Sequence, residues 1–250
     1  MFRLRRHAGG RSVLKIALAG ASHPGKHRDH NEDAYTLLPE HSAAVIADGM
    51  GGLARGEVAS RMVIDTVSEY LSAGHSADDA IQQAHRRIRD HSIASGSERM
   101  GSTAVVLCLS RSDNTAHVYW VGDSRAYLWR GGQLKQISKD HSFVEDLIDA
   151  GAISAEEAET HPNRNVLTRA VGVRDTAQIK VDHMTLPLQA GDRILLCTDG
   201  LHGYLPHALL LDCLQQYSQP AALVEALVAR TLADSEAGDN VTAVCMAAEG

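Results

Sequence analysis

The chain has 250 residues, 44% of them hydrophobic and 22% charged, enough to bury a core without disulfides or structural zinc. The net charge of -7 argues against a nucleic-acid binder, whose binding face is basic, and suits a protein that gathers carboxylates around cations. No apolar run is long enough to span a bilayer. The start carries Arg3, Arg5, Arg6 and Arg11 ahead of a short apolar stretch, which reads as a flexible basic tail over residues 1–12 rather than a signal peptide. One domain over 13–250 and a cytoplasmic location are the corresponding expectations.

In chain order, 13–20 and 43–47 are short apolar runs that read as strands. From Ala54 the period changes: Val58, Ala59, Met62, Val63, Val67, Tyr70 and Leu71 recur at helical spacing. Ser76 then reads as the N-cap of a second helix whose stripe is Ala77, Ala80, Ile81, Ala84 and Ile88. Strands over 103–109, 116–121 and 124–129, separated by turn residues, predict a meander of hairpins. Residues 142–150 read as a helix ended by Gly151, and 152–167 as a polar, mobile excursion. Strands over 179–186 and 193–197, helices over 206–217 and 220–232, and a strand over 240–247 complete the chain. This order is α+β: two antiparallel sheets face to face, with helix pairs outside.

Cys108, Cys197, Cys213 and Cys245 form no C-x-x-C pair and read as reduced thiols, three of them in buried runs. The fourteen histidines are scattered without zinc-site spacing and read mostly as surface residues.

The chemistry lies in the aspartates. Asp48, Asp123, Asp199 and Asp239 each stand at a strand edge beside Gly or Asn. Singly, each Asp-Gly marks a turn. Together, carboxylates on rigid strand ends would repel one another unless a hard divalent cation joined them, and Mg²⁺ or Mn²⁺ suits oxygen ligands. Arg28 precedes the Glu32-Asp33 pair by four residues, spacing compatible with a phosphate-binding guanidinium or with a surface ion pair to Asp29 or Glu32. With no obvious Ser or Cys nucleophile, hydrolysis by activated water is indicated.

The motifs "RDHNEDA" at 28–34, "VIADGMGG" at 45–52, "GSTAVV" at 101–106, "VGDSRAYLWR" at 121–130, "KDHS" at 139–142, "LTRAVG" at 167–172, "LLCTDGL" at 195–201 and "GDNVTAV" at 238–244 follow in order. In this the chain resembles the metal-dependent, type 2C (PPM) serine/threonine protein phosphatases in their compact bacterial form. The resemblance implies a β-sandwich flanked by helix pairs. It implies that Asp48 bridges two ions, with the Gly49 carbonyl, Asp199, Asp239 and Glu32 completing their ligands. Asp123 with Asp199 would hold a weaker third ion, and Asp33 and Thr103 would support the site. Arg28 would hold the substrate phosphate, and residues 143–167 would form a flap beside the cleft. The implied partners are phosphorylated proteins and an opposing serine/threonine kinase, with a monomer as the family habit.

One departure stands out: Met50 occupies the position where animal relatives carry a histidine that protonates the leaving oxygen, so another donor, such as His30 or an ion-bound water, must serve. The competing readings are a binding module that has lost catalysis and a hydrolase of small phosphate esters. The intact set Asp48, Asp199, Asp239 and Arg28 weighs against the first.

Overall fold

The computed structural model describes residues 14–51, 55–95, 100–173, 177–234 and 236–249, so the basic tail lies outside the described residues. The strands are β1 (Lys15–His23), β2 (Asp33–Leu38), β3 (Ala43–Met50), β4 (Gly101–Ser102), β5 (Ala104–Ser110), β6 (Thr115–Val121), β7 (Arg125–Arg130), β8 (Gln133–Gln136), β9 (Asp182–Pro187), β10 (Arg193–Cys197) and β11 (Val241–Glu249). The helices are α1 (Arg55–Ser72), α2 (Ala77–Ala94), α3 (Phe143–Asp149), α4 (Ala155–Glu159), α5 (Asp199–His202), α6 (His207–Gln216) and α7 (Pro220–Ala233).

Two wholly antiparallel sheets result, one ordered β1-β11-β10-β7-β8 and the other β2-β3-β5-β6-β9, with β4 on β3. Strand side chains alternate between faces, so each sheet feeds two cores. Ile46, Leu107, Val118 and Trp120 meet Ile194, Leu196, Val244 and Met246 between the sheets. On the outer face of one sheet, Val45, Ala47 and Val106 pack on the predicted stripes of α1 and α2, including Val63, Val67, Ile81 and Ile88. On the outer face of the other, Leu195, Cys197, Ala243 and Cys245 pack on Leu210 and Leu214 of α6 and Leu223 and Leu227 of α7. Each fully buried Leu, Ile or Val contributes about 1.5–3 kcal/mol, so the layers hold one another in place. The helix–sheet–sheet–helix order is the predicted α+β sandwich. Ser76 caps α2 as expected, its side chain accepting from the Asp79 N–H.

The structure departs from the sequence reading in several places. The β5–β6 hairpin forms, but β7 does not pair with β6; it pairs with β10 and β8 in the opposite sheet. Gly122 makes this crossover at φ 107°, packed so closely on Thr103 that a Cβ there would stand 2.6 Å from its Cγ2. β9 starts at Asp182 rather than 179, because Gln82 of α2 takes both backbone groups of Ile179, at 2.6 and 3.0 Å. The polar stretch 152–167 contains α4, whose polar residues form a capping box between Ser154 and Glu157. Polar β8 and one-turn α5 carry no apolar period that marks them in the sequence. Among the described residues two histidines are buried in the core, His85 and His141. All four thiols are free, Cys108 half-buried and the others buried.

Candidate active site

Four segments meet at one end of the sandwich. β2 and β3 place Asp33 opposite Asp48 in the strand register. Thr103 grips the Asp48 backbone from both sides: its N–H donates to the Asp48 carbonyl at 2.8 Å, and its Oγ1 accepts from the Asp48 N–H at 2.9 Å. Its Oγ1 also shares a hydrogen bond with Ser124 Oγ, 2.7 Å away, beside the Gly122–Asp123 crossover. Asp199 stands two residues beyond the end of β10 and opens α5; between them, Thr198 Oγ1 donates to Asp33 Oδ2 at 2.8 Å.

Asn240, at the start of β11, gathers the opposite rim. Its Oδ1 accepts from the Glu32 N–H at 2.8 Å, and its Nδ2 donates to the carbonyls of Pro24 at 2.8 Å and His30 at 2.9 Å. The loop bearing Arg28 and Glu32 is thereby tied to Asp239. Two glycines are demanded by close approach. A Cβ on Gly49 would stand 2.0 Å from the Gly56 carbonyl oxygen, and one on Gly200 1.9 Å from that of Asn240.

The carboxylates are held against their own charge. Burial, then Asp33, Asp199 and Asp123, push Asp48 well above the usual carboxylate range. Asp123 rises to about 8, through burial and then the charges of Asp199 and Asp140. Burial raises Asp33 to about 7 despite hydrogen bonds from Thr242 and Thr198. Burial and then Asp239 raise Asp199, which is eased by a hydrogen bond from Asp48. The hydrogen bond between these two carboxyls raises Asp48 and lowers Asp199. Glu32 is raised by burial, with Arg28 opposing.

Asp33 Oδ1 is buried without a hydrogen-bond partner. An orphaned, buried carboxylate oxygen among like-charged carboxyls suits an all-oxygen site for a hard divalent cation, so the donor set fits Mn²⁺ or Mg²⁺. Among the described residues no three Asp, Glu, His or Cys side chains close into a ready-made cage.

Arg28 pairs neither with Asp29 nor with Glu32 but with Asp239, at 3.0 Å, and its side chain is half exposed over the site. Asp123, Asp199 and Asp239 open onto a cleft of about 720 Å³ whose far wall is Val144, Ile148, Ala158 and Glu159 of α3 and α4. Arg28, Glu32 and Asp48 lie outside its lining. The paired charges of Arg125 and Asp140 line it too, 2.7 Å apart.

His202 also lines the cleft; its Nε2 lies 3.1 Å from the Asp123 carbonyl oxygen, which only accepts, so Nε2 carries the hydrogen. Burial, with Arg125 nearby, lowers its pKa well below the usual range and keeps the ring neutral. Sequence reasoning missed His202, Asp140 and Asn240. For His202 the signal was its place three residues after Asp199, which only a helical turn makes adjacent.

The protein phosphatase 2C family model matches residues 19–240. A serine/threonine phosphatase, stp, from Listeria welshimeri is 34% identical over 233 residues, covering 87% of this chain and 90% of that one. Among solved structures, PppA, described as a key regulatory component of the T6SS in Pseudomonas aeruginosa, matches with a TM-score of 0.82 and 38% identity, covering 94% of this chain and 99% of that one. The catalytic domain of the phosphatase PstP in complex with two manganese ions matches with a TM-score of 0.82 and 30% identity, covering 95% of this chain and all of that one. The chain belongs to the protein phosphatase 2C family and is a metal-dependent serine/threonine protein phosphatase.

Proposed function

We propose that Asp48, the Gly49 carbonyl, Asp199, Asp239 and Glu32 hold two Mn²⁺ or Mg²⁺ ions, and that Asp123 with Asp199 holds a weaker third. The observation that carries this reading is the buried convergence of Asp48, Asp199, Asp33 and Asp123, with Asp33 Oδ1 left without a hydrogen-bond partner. When bound, such ions supply Lewis-acid activation of water and neutralise charge at phosphorus.

The protein's own part is placement. Arg28 exchanges Asp239 for two phosphate oxygens of the substrate, which its planar fork matches. Asp33, anchored through Oδ2 by Thr198, offers Oδ1 as an acceptor that orients a water or ligand. Thr103 fixes the backbone on which Asp48 stands. The leaving serine or threonine oxygen needs a proton that Met50 cannot give.

The substrates are phosphoserine and phosphothreonine proteins made by an opposing kinase, and residues 143–167 form the flap that discriminates among them. Both ends of this segment are pinned together, by the Phe143 N–H to the Val166 carbonyl at 2.8 Å and by the Ser142–Leu167 bridge. The protein acts as a cytoplasmic monomer; no helix among the described residues is long and apolar enough to cross a membrane.

Phosphate release from a phosphothreonine peptide, with Mn²⁺ and with EDTA, tests this. Turnover that requires Mn²⁺ and is lost in Asp199→Asn supports the site. A folded sample inactive with every divalent ion tried sinks the catalytic reading in favour of a binding module.

A further inference from the structure

The Gly122–Asp123 turn is held from two sides. The Gly122 N–H donates to His141 Nδ1 at 3.0 Å, and the Gly122 carbonyl accepts from the His141 N–H at 3.0 Å. On the other side the Asp123 carbonyl accepts from His202 Nε2 at 3.1 Å. His202 ends α5 and Asp199 begins it, so a single helical turn carries both on one face. That turn is closed by the Gly203 N–H on the Asp199 carbonyl at 2.7 Å. Asp123, Asp199 and His202 all line the same cleft. Two like charges on separate elements drift apart unless their backbones are tied, and the His202 bond joins the crossover between the sheets to the helix that bears the second carboxylate.

We propose that His202 is a positioning residue for a cation held between Asp123 and Asp199, setting the separation of the two carboxylates through the Asp123 carbonyl. The inference rests on the reading of that pair as the weaker ion site. Contacts that orient a ligand in this way contribute about 10–100-fold to metal affinity.

The test is Mn²⁺ binding to the full chain stripped with EDTA, followed by calorimetry and by the electron paramagnetic resonance signal of free Mn²⁺. The proteins are the wild type, His202→Ala and His202→Gln; glutamine retains an N–H for the carbonyl and alanine does not. The wild type is expected to take up two ions tightly and one weakly. In His202→Ala the weak site loses about tenfold in affinity with the tight pair unchanged, and His202→Gln recovers most of the loss. Wild-type binding of the weak ion by His202→Ala overturns the proposal. So does an equal weakening of all ions that His202→Gln does not repair, which makes the ring a packing element. A wild type that binds only two ions also removes the proposal, while leaving the two-ion reading standing on the Asp199→Asn result.

Discussion

Asp48 is where burial and like charge coincide, and single substitutions there separate chemistry from folding. Asp48→Asn keeps the shape of a side chain that burial and its acidic neighbours push toward the neutral form. Turnover should fall by roughly 10²–10³-fold, with the circular dichroism spectrum unchanged and the melting temperature in EDTA unchanged or higher. Retained activity would remove Asp48 from the site. Asp123→Asn should act more gently: near-normal turnover at saturating Mn²⁺, with a higher Mn²⁺ concentration needed for half the rate. Met50 ends β3 opposite Gly101. If the missing leaving-group acid limits alkyl esters, Met50→His should raise the ratio of phosphothreonine-peptide to aryl-phosphate turnover; an unchanged ratio refutes that idea. The aspartates were legible in sequence because each stands at a strand edge beside Gly or Asn. Asn240 was not, because its work is three hydrogen bonds to a loop more than 200 positions away.

At the scale of elements, the proposed flap over 143–167 is a side excursion whose two ends are paired at its stem. Replacing 145–164 by a short Gly-Ser linker should leave the sandwich folded, and kcat/KM for phosphopeptides should fall more than for a small aryl phosphate. Equal losses on both substrates would deny the segment a part in discrimination. Gly200→Ala tests the opposite kind of element, a junction without slack. Its Cβ would collide with backbone rather than with a movable side chain, so a destabilisation of about 2 kcal/mol or more is expected in thermal melts. The helix pairs were readable because their apolar periods run for several turns. β8 was not, since the polar strand QLKQ shows no buried face in sequence and is placed by its pairing with β7.

The whole molecule responds to pH through the site. A carboxylate whose native pKa is raised binds more protons folded than unfolded between the two values, so stability falls as pH rises through that window. Asp33 rises from 3.8 to about 7 and Asp123 from 3.8 to about 8. The EDTA-stripped protein should therefore melt several degrees higher at pH 5 than at pH 8, at about 2–4 °C per kcal/mol. Mn²⁺ should reverse the order, because binding displaces those protons and stabilises the folded state alone. A melting temperature of the stripped protein that does not fall between pH 5 and pH 8 would mean that the carboxylates do not share a buried site.

The sequence by itself determined the layer architecture, through helical and strand periods that each specify a buried face. It also marked the aspartates proposed as ligands, through strand ends bordered by Gly and Asn. Only the tertiary structure decided which sheet β7 joins, that Arg28 pairs with Asp239, and that His202 holds the Asp123 turn. These depend on a backbone crossover at one glycine and on contacts between segments 79 to 211 positions apart. Neither leaves a period or a local spacing to read.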